Sequence, residues 1–228
     1  MGRKWFNLFI ACVLLLQIPS YKLPGYESRG EVIYVPDDYP TIEDAVVHAE
    51  PGDTIIVRNG TYAENIKIDK SLTLKSEWGP KNCIVKAKDK GDPVFLILSD
   101  HVTLRGFTVI EGGIYLYRSR YCKVVNNVCS FCPVGIGLEE SSMNRVIENK
   151  CAAYNAINIG LVSSNSNLIS RNILLNSTYF GIILFYSKDN IIFSNDFADN
   201  AMDAFFWNSL LNLWVMNYWK EWEDLGQN

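Results

Sequence analysis

Two asparagines five residues apart return every 22 or 23 residues through the second half of this chain. Asn144, Asn167, Asn190 and Asn212 recur at spacings of 23, 23 and 22, and Asn149, Asn172, Asn195 and Asn217 follow each of them. Cys122 and Asn127 carry the register one unit upstream. Gly113, Gly135, Asn158, Gly181 and Ala204 form a third row with the same period, and Ser119, Ser141, Ser164 and Ser187 a fourth. Four rows with one period mark a repeat architecture, in which each unit buries its apolar side only by stacking on its neighbours.

Within a unit the apolar residues alternate. Val146, Ile169, Ile192 and Trp214 lie between the paired asparagines, and Ile159/Leu161, Ile182/Leu184 and Phe205/Trp207 follow the glycine row. Period two is the mark of a half-buried strand, and no unit holds the ten or more residues of 3.6-period pattern that a helix needs. The expected fold is therefore all-β: a right-handed parallel β-helix of seven or eight coils. Parallel strands about 4.8 Å apart place equivalent residues above one another, so that Asn127, Asn149, Asn172, Asn195 and Asn217 form an amide ladder. A leucine-rich repeat has an overlapping period but needs one asparagine and a leucine-dominated strand, which these units lack.

Upstream the period blurs while short apolar runs continue. Thr41 to Ala49 differs from them: Thr41 suits a helix N-cap, Glu43 and Asp44 the first turn, and Ile42, Ala45, Val46 and Ala49 one apolar face. A short helix there would close the first coil. Phe205, Phe206, Trp207, Trp214, Tyr218, Trp219 and Trp222 predict an aromatic cap at the other end.

Residues 1–20 read as a signal peptide or N-terminal anchor, since Arg3 and Lys4 precede an apolar run from Trp5 to Ile18 that is short for a membrane span. Residues 21–31 then form a linker, 32–222 a single β-helix domain and 223–228 a tail, giving a secreted or cell-surface protein. Membrane contact is expected only through the N-terminal segment, if it is not cleaved. Asn59-Gly60-Thr61 and Asn176-Ser177-Thr178 are sequons compatible with export. A net charge of −4 argues against a nucleic-acid partner. Beyond Cys12 five cysteines remain, Cys83, Cys122, Cys129, Cys132 and Cys151, so at least one thiol has no partner within the chain.

The segment Tyr39-Pro-Thr-Ile-Glu-Asp-Ala, then Pro51-Gly-Asp-Thr-Ile-Ile-Val, Gly60-Thr-Tyr-Ala-Glu-Asn-Ile and Ser71-Leu-Thr-Leu, resembles the opening of pectin-esterase-like and NosD-like β-helix proteins. The later N-x-I-x-x-N and G-I-x-L-x-x-S coils, and Asn217-Tyr218-Trp219, are similar to the NosD-like, or carbohydrate-binding and sugar-hydrolase, repeat. The resemblance implies the fold and leaves the activity open. Its members include enzymes of acidic polysaccharides and a periplasmic accessory factor of copper-site assembly. This chain has no paired Asp-Asp of the polygalacturonase type, no G-H-G, no D-F-I-F-G or L-G-R-P-W, and no R-x-P-x-x-R.

Candidate chemistry is sparse. Asp196, Asp199 and Asp203 fall in one coil and are the weak candidates for a catalytic carboxylate pair; Glu139 and Glu140 lie on another. Glu148 and Arg171, one period apart, read as a surface ion pair. His48, His101, Met143, Met202 and Met216 share no column, so no metal site and no cofactor is expected. Cys129 and Cys151 occupy one inward slot on adjacent coils, as a disulfide or a pair of buried thiols. The outward positions carry the binding candidates: Tyr115, Ile183 and Phe206 in one column, and Tyr117, Glu139, Val162, Phe185 and Asn208 in the next. Aromatic faces beside hydrogen-bonding groups suit sugar rings, and an apolar column also suits a cell-surface protein. The expected function is thus a non-catalytic binding or scaffold module for carbohydrate or a surface component. A polysaccharide-active enzyme and a NosD-like metal-assembly accessory are the alternatives.

Overall fold

The computed structural model describes residues 30–220. The signal or anchor segment 1–20, residues 21–29 of the linker, Trp222 and the tail 223–228 lie outside the described residues. The chain winds into a right-handed parallel β-helix of three sheets, with nine, eight and seven strands. The nine-stranded sheet runs from Val32–Val35 to Leu213–Val215, so there are nine coils, more than the seven or eight expected. The early coils escape the count because their lengths differ: Thr54 stacks on Thr73, 19 residues on, and Thr73 on Thr103, 30 residues on.

Inside, apolar residues pile into columns. One runs Ile33, Ile55, Leu74, Leu104, Val124, Val146, Ile169, Ile192 and Trp214. Another runs Val85, Val109, Cys129, Cys151, Leu174, Phe197 and Trp219. Each fully buried member contributes roughly 1.5–3 kcal/mol.

The corners explain the asparagines. A residue in the left-handed region precedes each rung: Met143, Ser166, Asp189 and Leu211 before one row, and Asn126, Glu148, Arg171, Ser194 and Met216 before the other. That bend turns the chain and aims the next backbone N–H along the solenoid axis, where no strand partner waits. The asparagine one coil on fills the gap: Asn149 N donates to Asn172 Oδ1 at 2.9 Å, and Asn172 Nδ2 to Val146 O at 2.9 Å. The serines do the same three residues before the first row, Ser141 N donating to Ser164 Oγ at 3.1 Å, and Ser209 adds a fifth rung. A non-glycine left-handed residue costs about 1–2 kcal/mol, and the buried amide bonds outweigh it.

The cap helix spans Ile42–His48, with Thr41 Oγ1 accepting from Asp44 N at 3.0 Å. Glu64 accepts from Ile42 N and Glu43 N, and Lys70 Nζ donates to the carbonyls of Val46, Val47 and Ala49. Opposite charges from the second coil thus complement both ends of the helix dipole. At the far end Trp219 stacks on Phe197 with centroids 4.3 Å apart, so an aromatic ring does close the inner column. Phe206 and Trp207 nevertheless stand exposed, and among the described residues a cavity of about 350 Å³ opens between Phe206, Leu210, Leu211, Trp214 and Trp219.

Candidate functional site

The outer face of the seven-stranded sheet carries the residues singled out for binding, with one correction. Tyr115, Gly137, Gly160, Ile183 and Phe205 form one outward column, and Tyr117, Glu139, Val162, Phe185 and Trp207 the next. Phe206 and Asn208 were expected in these columns. Phe206 instead lies above Leu184 in an inward column, and Ala204 lies above Ile182 rather than Gly181. The turn before Met202–Trp207 is one residue shorter than in the coil below, and a one-residue slip moves every side chain of a strand to the opposite face. The spacing of 22 from Asn190 to Asn212 carries the signal that could have placed it.

Gly137 and Gly160 carry no side chain into the column, and both are covered by neighbours, Gly160 by Val134, Ile157 and Ile183. The Tyr115 ring lies across Gly137, where an added Cβ would come within 2.5 Å of two ring carbons. Its hydroxyl donates to Glu139 Oε2 at 2.5 Å. Burial, then the bond to Glu139, pushes the phenol up to about 12, so it stays a donor at any physiological pH. Arg118 lies over the Tyr117 ring at 4.9 Å and pairs with Glu140 at 2.7 Å. On the far side of Gly160, Phe180 and Phe185 both meet Phe205, at 5.5 and 5.9 Å between centroids, and cover Ile183. The strip therefore has a tyrosine–carboxylate pair at one end, an apolar cluster at the other and exposed Trp207 beyond it.

The acidic candidates sit in three different settings. Asp196 points outward from the eight-stranded sheet, Asp199 pairs with Lys220 at 2.7 Å, and Asp203 accepts from Asn200 Nδ2 at 2.8 Å. Burial raises the Asp203 carboxyl, the Asn200 bond opposing it. A hydrolytic pair needs two carboxyl groups facing one bond; Asp199 and Asp203 are near enough for their charges to interact, while Asp196 stands on a sheet face. Glu148 and Arg171 form the expected surface pair, at 2.9 Å.

Cys129 and Cys151 are register partners, and both are free thiols in this structure. Their side chains point the same way from adjacent strands, and one thiol hydrogen-bonds the other. The Cys151 thiol beside it, with burial, holds Cys129 well above the ordinary thiol range, and burial lifts Cys83 and Cys132 to about 12. Alkylation at about pH 8 is expected to leave the five thiols of the described residues unlabelled, and unfolding without reductant to label all five, each located by peptide mapping. Recovery of only three labels on unfolding would show a bond that this structure lacks.

The profile of a family described as periplasmic copper-binding protein (NosD) matches residues 39–223. The chain belongs to the NosD family. A cell surface glycoprotein of Methanothermus fervidus is 34% identical over 121 residues, which cover 50% of this chain and 20% of that protein. The chain thus spans about a fifth of the curated relative it matches. Among solved structures, a pectin methylesterase with a bound hexasaccharide superposes with a TM-score of 0.56 at 11% identity, covering 83% of this chain and 81% of that one. An alginate lyase from Paenibacillus sp. gives 0.56 at 13%, covering 82% and 65%. The pectin methylesterase of Erwinia chrysanthemi gives 0.54 at 10%, covering 82% and 80%. At these identities the structural likeness shows the fold.

Copper, which the family description implies, does not fit the side chains of the described residues. Among the described residues no three of His, Cys, Asp and Glu converge on a point. His48 stacks on Tyr39 and contacts Asp44 O, His101 stacks on Tyr121, and the thiols are buried in the shaft. A transition-metal site needs several such donors around one position.

Proposed function

We propose that this NosD-family chain is an exported, non-catalytic β-helix module that holds a carbohydrate or another cell-surface component against the outer face of its seven-stranded sheet. One observation carries the reading: the Tyr115–Glu139 pair and the Phe180–Phe185–Phe205 cluster stand on the same outer sheet face. A flat, polyhydroxylated ring laid there would meet an aromatic face and hydrogen-bonding groups together. The name of the Methanothermus fervidus relative, the periplasmic description of the family and the apolar N-terminal run support a place outside the cytoplasm.

A glycan array probed with the full chain, run beside a screen of the same glycans for new reducing or unsaturated ends, tests it. Capture without turnover is expected, and Tyr115→Ala or Phe185→Ala should each weaken capture about tenfold. Product formation would assign the chain to the enzymes instead. Capture unaltered by both substitutions would remove the site from this face.

A further inference from the structure

Although the chain is acidic overall, one of its faces contains no acid. None of the nine strands in the nine-stranded sheet carries an aspartate or glutamate. Four cations stand on its outer side, on four consecutive coils. Lys75 is the register partner of Arg105 in one column, and Lys123 that of Arg145 in the other. Strand spacing spreads them over about 14 Å along the solenoid. Elsewhere the stacking of coils pairs a cation with an acid one turn away, as in Arg58–Asp37, Arg118–Glu140 and Arg171–Glu148. These four form no ion pair among the described residues. The nearest acids along the chain are committed to other groups: Glu77 to Arg58 and Glu148 to Arg171.

Two details narrow the partner. The column of Lys123 and Arg145 continues through Thr54, Thr73 and Thr103, a row of hydroxyls in line with the charges. Beside the other column, Lys75, Glu77, Gly79, Arg105, Gly106 and Asn126 line a notch of about 270 Å³, and nothing approaches the position of a Cβ on Gly79. Regularly spaced charge flanked by hydroxyls matches a chain bearing both anions and hydroxyls. A lipid surface would meet no exposed apolar side chain among these four coils of the sheet face. We infer that this face binds a linear acidic glycan, lying along the solenoid axis with its carboxylates or sulfates on Lys75, Arg105, Lys123 and Arg145. This rests on the proposed function only in taking the ligand to be a glycan; the face and the chemistry are different.

Carboxymethyl-dextran and unmodified dextran of equal length form the test pair, titrated with the full chain. The charged polymer is expected to bind, more weakly as added salt screens the contacts, and the neutral one not to bind this face. The quadruple variant Lys75→Gln, Arg105→Gln, Lys123→Gln, Arg145→Gln should bind the charged polymer about tenfold or more weakly, since four exposed ion contacts are removed. Lys188→Gln, on a turn two coils beyond Arg145 and outside the row of four, should leave binding unchanged, with circular dichroism checking that each variant is folded. Equal affinity of the quadruple variant, salt-independent binding, or capture of phosphatidylglycerol vesicles in place of the polymer would overturn the assignment. Tyr115→Ala separates the two readings, because it should spare carboxymethyl-dextran binding while weakening capture at the seven-stranded face.

Discussion

Asn172→Ala is expected to lower the unfolding free energy by about 4 kcal/mol, although it removes only a small polar side chain. The amide is buried, accepts from Asn149 N and Asn149 Nδ2, and donates to Val146 O and Asn195 Oδ1. Truncation leaves the Asn149 N–H without a partner in a site closed to water, at about 1–3 kcal/mol, and takes one bond each from Asn149 Nδ2, Val146 O and Asn195 Oδ1, at about 0.5–1.5 kcal/mol each. Asn217→Ala is the internal control. Asn217 makes the equivalent bonds to Asn195 N and Ile192 O but is half-exposed on the last coil, so water can replace it and about 1 kcal/mol should be lost. Urea denaturation of both variants reads the difference directly. Equal losses at 172 and 217 would mean that the row is not held by buried amide bonds.

That contrast also shows why the fold was legible. A β-helix corner needs a side chain that accepts from one coil and donates to another, and asparagine meets both demands, so stacking writes itself into the sequence as a period. The third corner was harder to read for the same reason. Cys132 N donates to Asn155 Oδ1, and Ser177 N to Asn200 Oδ1, so cysteine, asparagine and serine share one slot and no row of identical letters appears. The early coils were blurred by loop length, which changes spacing without changing what stacks.

The candidate site was legible only in part. Tyr115, Tyr117, Glu139 and Phe185 were placed on the right face because the glycine row fixes their register. Phe206 was misplaced by a single shortened turn, and Trp207 was missed with it. The cationic face escaped notice because its members are divided between two columns. In sequence Lys75, Arg105, Lys123 and Arg145 lie 30, 18 and 22 residues apart, and only the register sets them on consecutive coils. A net charge describes the whole surface and conceals a face from which the acids are missing.

Phe197→Ala is expected to cost about 3–5 kcal/mol, and to do so locally. The ring is fully buried between Leu174 below and Trp219 above, and its Cδ1 lies 3.1 Å from the position of a Cβ on Gly181. Alanine there leaves a void that cannot close, because the coils on either side are held apart at strand spacing. In a solenoid each coil is stabilised only by its neighbours, so the loss falls on the interface it weakens. Residues from Asp196 onward should therefore lose amide hydrogen-exchange protection, while the coils from Val32 to about Ile147 keep theirs. Leu104→Ala, in the interior of the stack, should by contrast weaken coils on both sides. A uniform loss of protection across the chain in Phe197→Ala would indicate that the nine coils unfold as one cooperative unit, against the nearest-neighbour stacking from which both the ladder and the column energies are argued.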